Sequence, residues 1–404
     1  MLQAKAWRRP VVARSHGEGH RQASWLELLF DLSFVIAVAQ AALQLEHRLA
    51  EGHPDAAVVS YLLVFAAIWW AWMSFTWFGN VFDTDDVPYR LWMLLMIAGS
   101  LGLAAGVPRI AELDFRIGVS SYVVMRLAYV AQWLRVLQSR DPTWRPIAWK
   151  VIVLTTLNQA GWVAFLYCPL EWRLPVFVFW FAADVATPVI AGWDARLGGH
   201  RGHIVERYGL FTLIVLGESI AAATVAVGRA VETQAAALPL LVLAVGGLVI
   251  VFSIWWIYFD LSAGGHGRQA AAPGRAAQIV WGYGHYFVFA SLAAIGAGLA
   301  LAVERLTERE NVALPDTGVA LAIGAAVAVF LLAVAAIEAA DEGAYALRDA
   351  LVKLGGALAA LGAALAAPAP ALGVAGSVLA IGLVLAAMVC YGVVLQQRMY
   401  AAAR

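Results

Sequence analysis

At 404 residues, with 62% hydrophobic and only 13% charged residues and 17 tryptophans, the chain is too apolar for a water-soluble domain, which carries roughly 25% charged residues. The formal net charge is zero, so bulk charge gives no reason to expect nucleic acid as a partner. This is the composition of an integral membrane protein whose first partner is the lipid bilayer.

The first twenty residues, MLQAKAWRRPVVARSHGEGH, hold no apolar core and no small-residue cleavage site, so a removable signal peptide is not expected. Beyond them, apolar stretches of about 20 residues, long enough to cross a roughly 30 Å hydrocarbon layer, are set off by polar interruptions. They fall near 25–45, 58–79, 90–107, 117–137, 147–167, 174–192, 206–228, 238–259, 278–302, 317–338, 349–367 and 370–395. The expected fold is all-α: a polytopic membrane protein of about twelve transmembrane helices. Cytoplasmic loops are enriched in Lys and Arg. With the amino terminus inside, nineteen of the 27 basic residues fall on inside segments and seven outside, while Arg126 lies within a helix. Both termini are therefore expected in the cytoplasm.

The first helix, in SWLELLFDLSFVIAVAQ, carries Glu27 and Asp31 one turn apart near its start and Gln40 deeper in. The amino end of a helix favours negative charge. The i, i+4 spacing nevertheless makes the two acids repel unless a cation or a proton lies between them, and Arg21, Arg207 or Arg90 could supply that cation. Helix capping explains Glu27 and, later in the chain, Glu206. It explains Asp31 poorly, and Asp31 is expected to line an aqueous vestibule. After the second helix, FDTDD places Asp83, Asp85 and Asp86 in a loop, either binding a cation, pairing with neighbouring arginines or simply solvated.

The middle helices bury more polar groups. Counting 1.5 Å per residue puts Arg126, Asn158, Gln159, Asp184 and Glu218 near mid-depth of the fourth to seventh helices, with Gln40 somewhat beyond it. A charged group facing lipid costs roughly 2.5–3.5 kcal/mol or more, so a shared interior cavity is a better reading than independent accidents. Arg126 is expected to pair with Asp184 or Glu218. The plainer alternative is an ion pair and amide cluster that only locks helix register. In the ninth helix His285 is a candidate proton carrier or a hydrogen-bonded packing residue. His200 and His203 with Glu206, and His16 and His20 with Glu18, have metal-compatible spacings, but short His clusters in polar loops are usually not metal sites and none is assigned. No metal or other cofactor is expected. Cys168 and Cys390 read as apolar packing residues. From Thr317 onward the helices are mostly Ala, Gly, Leu and Val, suited to close packing rather than chemistry. No HExxH, Walker loop or G-x-S-x-G is present, so an enzyme is not the leading reading.

An internal repeat is visible. ELLFDLSFVIAVAQ from Glu27 aligns with ERYGLFTLIVLGES from Glu206, an offset of 179 residues spanning six helices. The next helices each carry a Trp pair, Trp69-Trp70 and Trp255-Trp256. Two parallel six-helix repeats follow, 25–192 and 206–395, joined by a cytoplasmic linker 193–205 and flanked by tails 1–24 and 396–404. Chance similarity between two apolar helices that begin with an acid is the alternative.

WLELLFDLSFVIAVAQ at Trp25, FDTDD at Phe82 and HIVERYGLFTLIVLGESI at His203 together resemble the bacterial low temperature requirement A family. The resemblance implies a multi-helix inner-membrane protein and no defined reaction. The family's recurring polar positions match Glu27, Asp31, Gln40, Asp83, Asp85, Asp86, His203, Glu206, Gly217 and Glu218. FDLSFVIAV is also similar to the first-helix motif of the lysosomal potassium-channel family. The leading functional expectation is a transporter or permease for a small molecule or ion, acting at the mid-depth polar site, with homo-oligomerisation left open. The alternatives are a cation channel-like protein and a non-transporting scaffold or sensor linked to stress growth.

Overall fold

The computed structural model describes residues 7–14, 22–82, 84–139, 141–193, 200–232, 237–261, 275–340, 346–367 and 373–402. Those residues form twelve α-helices, and no strand occurs among them. The first six are α1 (Trp25–Ala50), α2 (Pro54–Phe82), α3 (Val87–Ala111), α4 (Arg116–Val136), α5 (Arg145–Phe165) and α6 (Arg173–Ala191). The others are α7 (Arg201–Glu232), α8 (Ala237–Trp256), α9 (Arg275–Thr307), α10 (Asp316–Ala340), α11 (Ala346–Leu365) and α12 (Gly373–Ala402). A helix satisfies its own backbone polar groups, which apolar surroundings demand.

Local signals set the helix ends. Ser24 and Glu27 close a reciprocal capping box on α1: Ser24 N–H donates to Glu27 Oε2 at 2.8 Å and Glu27 N–H to Ser24 Oγ at 3.3 Å. Gly52, at φ +84°, turns the chain between α1 and α2, a backbone conformation that favours glycine. Asp86 caps α3, accepting from Tyr89 N–H at 3.0 Å, with a proline in the first turn. Gly192, at φ +81°, ends α6. α7 begins at Arg201, five residues before the expected position, and α12 continues to Ala402, through most of the expected tail.

Among the described residues, eight helical segments are long and apolar enough to cross a membrane: α1, α2, α8 with its following turn, α9, α10, most of α3 and α12, and α6 with its preceding turn. This is a coarser result than the expected twelve. The other four helices are interrupted by charge, as with Arg126 in α4, Lys150 in α5, Glu218 in α7 and Lys353 in α11.

The chain divides into two compact units, Met1–Ala41 with Leu63–Arg207, and Ala42–Leu62 with Tyr208–Arg404. In the first, α3 packs on α4, α4 on α5 and α5 on α6. Its core is aromatic: Phe78, Phe82, Tyr129, Trp133 and Trp144 meet mainly edge to face. In the second unit α10 packs on α9 and α11, and α8 on α12. Small residues permit these approaches. A Cβ on Gly246 would lie 2.7 Å from Leu379 N, and one on Gly324 would lie 2.9 Å from Ala364 Cβ. The close packing expected of the small-residue helices is therefore present.

Candidate functional site

Two buried polar clusters lie in the first unit. One joins the start of α7 to α1 and α2. Arg207, 1% exposed, turns its fork onto Asp31: Nε donates to Oδ2 at 2.8 Å and Nη2 to Oδ1 at 2.5 Å. Its Nη1 lies 3.2 Å from Glu27 Oε1, so one guanidinium joins both acids of the first helix. Trp72 Nε1–H donates to Asp31 Oδ1 at 2.7 Å, and Thr76 Oγ1 accepts from Arg207 at 3.4 Å. Asp31 is 0% exposed with both oxygens engaged. The aqueous vestibule expected at its carboxylate is replaced by a closed ion pair, because a bidentate cation and an indole occupy the positions water would take.

His203 completes this cluster. It lies in the first turn of α7, where His200 Nδ1 accepts from His203 N–H at 3.2 Å as an N-cap. The His203 Nε2 atom faces Glu27 Oε1 at 3.3 Å and Oε2 at 3.4 Å, and Nδ1 faces Asn80 Oδ1 at 3.0 Å. Glu206, expected to cap this helix, sits in its second turn and accepts from Ala23 N–H at 3.4 Å. His200 takes the capping role because the helix starts earlier than the apolar run.

The other cluster centres on Asp184 of α6, 0% exposed. Tyr122 Oη–H and Trp162 Nε1–H each donate to Oδ2 at 2.9 Å, and Asn158 Nδ2 donates to Oδ1 at 3.2 Å. Arg126 Nη2 stands 3.6 Å from Oδ1, an ion pair without a close hydrogen bond. Arg126 also donates from Nη1 to Ser74 Oγ at 2.6 Å and lies over the Tyr129 ring at 4.7 Å. Four buried atoms on α4 and α5 lack a hydrogen-bond partner among the described residues: Arg126 Nε, Trp133 Nε1, Thr155 Oγ1 and Gln159 Oε1. Pro188 follows Asp184 by four residues and has no N–H, so α6 lacks the usual i to i−4 hydrogen bond to the Asp184 carbonyl.

The remaining expected positions fall elsewhere. Gln40 is half-buried on α1, and Glu218 is half-buried on α7 in the second unit. His285, also in the second unit, is 0% exposed and ringed by Tyr208, Tyr258, Trp281 and Phe289. Its Nδ1 lies 2.6 Å from the Trp281 carbonyl, which requires Nδ1–H, and Tyr258 Oη is 3.0 Å from Nε2. Both ring nitrogens are thus satisfied, the geometry of a packing histidine. In the acidic loop, Asp86 Oδ2 accepts from Arg135 Nη2 at 2.5 Å and from Arg9 N–H at 2.8 Å. Asp85 pairs with Arg90 at 2.8 Å, which also shows where Arg90 is engaged. Asp83, Arg21, His16, Glu18 and His20 lie outside the described residues. Among the described residues no group of three or more His, Cys, Asp or Glu converges as a metal site.

Residues 22–389 match the family model for the bacterial low temperature requirement A protein, LtrA, a span that contains both clusters. The chain belongs to this family. An uncharacterized protein of Rhizobium meliloti (strain 1021) is 25% identical over 321 residues, covering 76% of each chain. The family assignment supports a membrane-type helical protein, and the chemistry has to be sought in the side chains.

Several members of both clusters escaped the sequence reading. Trp72, Tyr122 and Trp162 are polar-edged aromatics in aromatic-rich helices, and nothing in composition separates a donor indole from a packing one. His203 was legible in a loop group with His200 and Glu206 and as a family-matched polar position, but not as a partner of Glu27. The Ser24-x-x-Glu27 spacing, by contrast, is a capping-box signature that identifies the start of α1.

Proposed function

We propose that the protein is a transporter or permease of the bacterial inner membrane, with Arg126 and Asp184 at the centre of its polar site. The observation that carries this reading is a set of buried polar atoms without a partner among the described residues, one on the ion pair itself and two on α5, the helix that supplies Asn158 and Trp162 to it: a donor at Arg126 Nε, an acceptor at Gln159 Oε1 and a hydroxyl at Thr155. Buried polar groups are nearly always satisfied, and such exceptions usually mark water or a ligand. Arg126 and Asp184 balance each other's charge, which suits a small polar solute that brings its own donors and acceptors. Asn158 adds an adjustable amide, and Pro188 gives α6 a place to flex. Gln40, half-buried in the same unit, belongs to the wider set from which a pathway would draw.

Twelve crossings in two parallel six-helix repeats, with both termini cytoplasmic, fit this reading. The successive packing of α3 to α6 in one unit and of α9 to α12 in the other supports the repeat. The test is flux in liposomes holding the purified protein, comparing proton and potassium movement with uptake of small organic solutes. Solute uptake that Arg126→Lys abolishes while folding is intact supports the proposal, because lysine keeps the charge and loses the planar fork. Potassium flux alone would favour a channel. A folded protein with no flux would favour a scaffold, the reading suggested by the fully engaged oxygens of Asp184.

A further inference from the structure

The other cluster raises a question of donors and acceptors that its ion pairs leave unanswered. His203 is 0% exposed, and both of its ring nitrogens face acceptors. Nδ1 is 3.0 Å from Asn80 Oδ1. The orientation of that amide is fixed independently, because the backbone N–H of His200 also points at Asn80 Oδ1, at 3.3 Å, and an N–H can only donate. Nδ1 must therefore carry a hydrogen. Nε2 faces both oxygens of Glu27, and an ionised carboxylate only accepts. With one hydrogen already on Nδ1, a neutral imidazole would turn a lone pair toward those oxygens at 3.3 and 3.4 Å.

We infer that the His203–Glu27 contact is a buried proton-binding site, in which one exchangeable proton lies between Nε2 and the carboxylate. The proton rests either on the ring, as imidazolium facing carboxylate, or on the acid, as a carboxyl O–H donating to Nε2. Both forms satisfy every atom of the contact. Losing the proton leaves lone pair against lone pair at a point where the first turns of α1 and α7 are held together. Among the described residues, the groups around the site include Glu27 and Asp31 from α1 with the Ser24 N–H before it, Asn80, Thr76 and Trp72 from α2, and His200, Glu206 and Arg207 from α7 or just before it. The Tyr89 hydroxyl of α3 also approaches: a Cβ on Gly79 would lie 3.2 Å from it and 3.7 Å from Glu27 Oε1. Arg207 already pairs with Glu27 Oε1 through Nη1 at 3.2 Å while Nε and Nη2 hold Asp31, so it offers no further N–H to His203 Nε2, whose lone pair only a proton can satisfy.

Proton release here loosens the first turn of α7 from the first turn of α1 and gives the chain a proton-driven local conformational step. If the transport reading above holds, that step is the coupling of solute movement to protons. The site itself does not depend on transport. It is tested on the full-length protein in lipid nanodiscs near pH 7, by nitrogen NMR of ring-labelled histidine and by infrared spectroscopy. The His203 signals are assigned by their absence in His203→Gln. The expected result is either two protonated ring nitrogens or a protonated-carboxyl band that disappears in Glu27→Gln. In Glu27→Gln, His203 should become neutral, because the amide can turn its NH2 toward Nε2. A wild-type His203 with one bare nitrogen and no such band would overturn the inference, as would an imidazolium that persists in Glu27→Gln. Absence of flux in liposomes would leave the spectra unaffected and would count only against the transport reading.

Discussion

Asp31 illustrates how a single buried charge is made tolerable. It holds a bidentate guanidinium and an indole N–H with no exposed surface, so removing one partner strands the others. Arg207→Ala should destabilise the protein by roughly 3–5 kcal/mol, because both acids of α1 lose their shared cation inside the protein. Trp72→Phe keeps the ring volume and deletes one donor, for an expected loss of about 1–3 kcal/mol. Thermal unfolding in detergent measures both, and equal midpoints for Trp72→Phe and wild type would remove the indole from the network. The demand for a cation between Glu27 and Asp31 was legible in their i, i+4 spacing. Its source was not: Arg207 lies 176 residues beyond Asp31, and Arg21 and Arg90 met the same sequence criterion. Likewise the depth count placed Arg126 and Asp184 at one level, but only the packing of α4, α5 and α6 turns Tyr122, Asn158 and Trp162 onto the same carboxylate.

At the level of helices, glycine decides how near two axes come. On α3, a Cβ at Gly106 would meet Gly118 N of α4 at 2.7 Å, and backbone cannot move aside as a side chain can. Gly106→Ala should therefore force these helices apart and cost about 1–3 kcal/mol. Gly362 on α11 has nothing within 4 Å of the same position, and Gly362→Ala should be neutral or stabilising by up to about 1 kcal/mol through its effect on the unfolded chain. Paired unfolding curves distinguish the two, and equal effects would mean that small residues on α3 serve no packing purpose. The capping box of α1 belongs to this scale too. Ser24→Ala removes its hydroxyl acceptor and should cost about 0.5–2 kcal/mol.

For the molecule as a whole, the distribution of Lys and Arg bears on orientation, and the charged helices bear on the number of crossings. For α4, α5, α7 and α11 the described residues do not by themselves qualify as spans. Twelve crossings with both ends inside require a cytoplasmic fluorescent reporter fused after Arg404 to be active and a periplasmic phosphatase fused there to be silent. The reverse pattern would mean an odd number of crossings if the amino terminus is inside. Fusions between α6 and α7 provide a second check, since the two-repeat reading puts that linker on the same side as both termini.

The sequence by itself determined the helical membrane class, the approximate position of each helix and the presence of buried charge, because hydropathy and 1.5 Å per residue are local properties of the chain. Tertiary structure decided which charges meet. It replaced a wet vestibule at Asp31 with a closed Arg207 pair, recruited His203 to Glu27, and gathered three donors from α4 and α5 around Asp184. Hydrogen-bond partners are selected by distances of a few ångströms between helices remote in sequence, and one-dimensional spacing does not encode those distances.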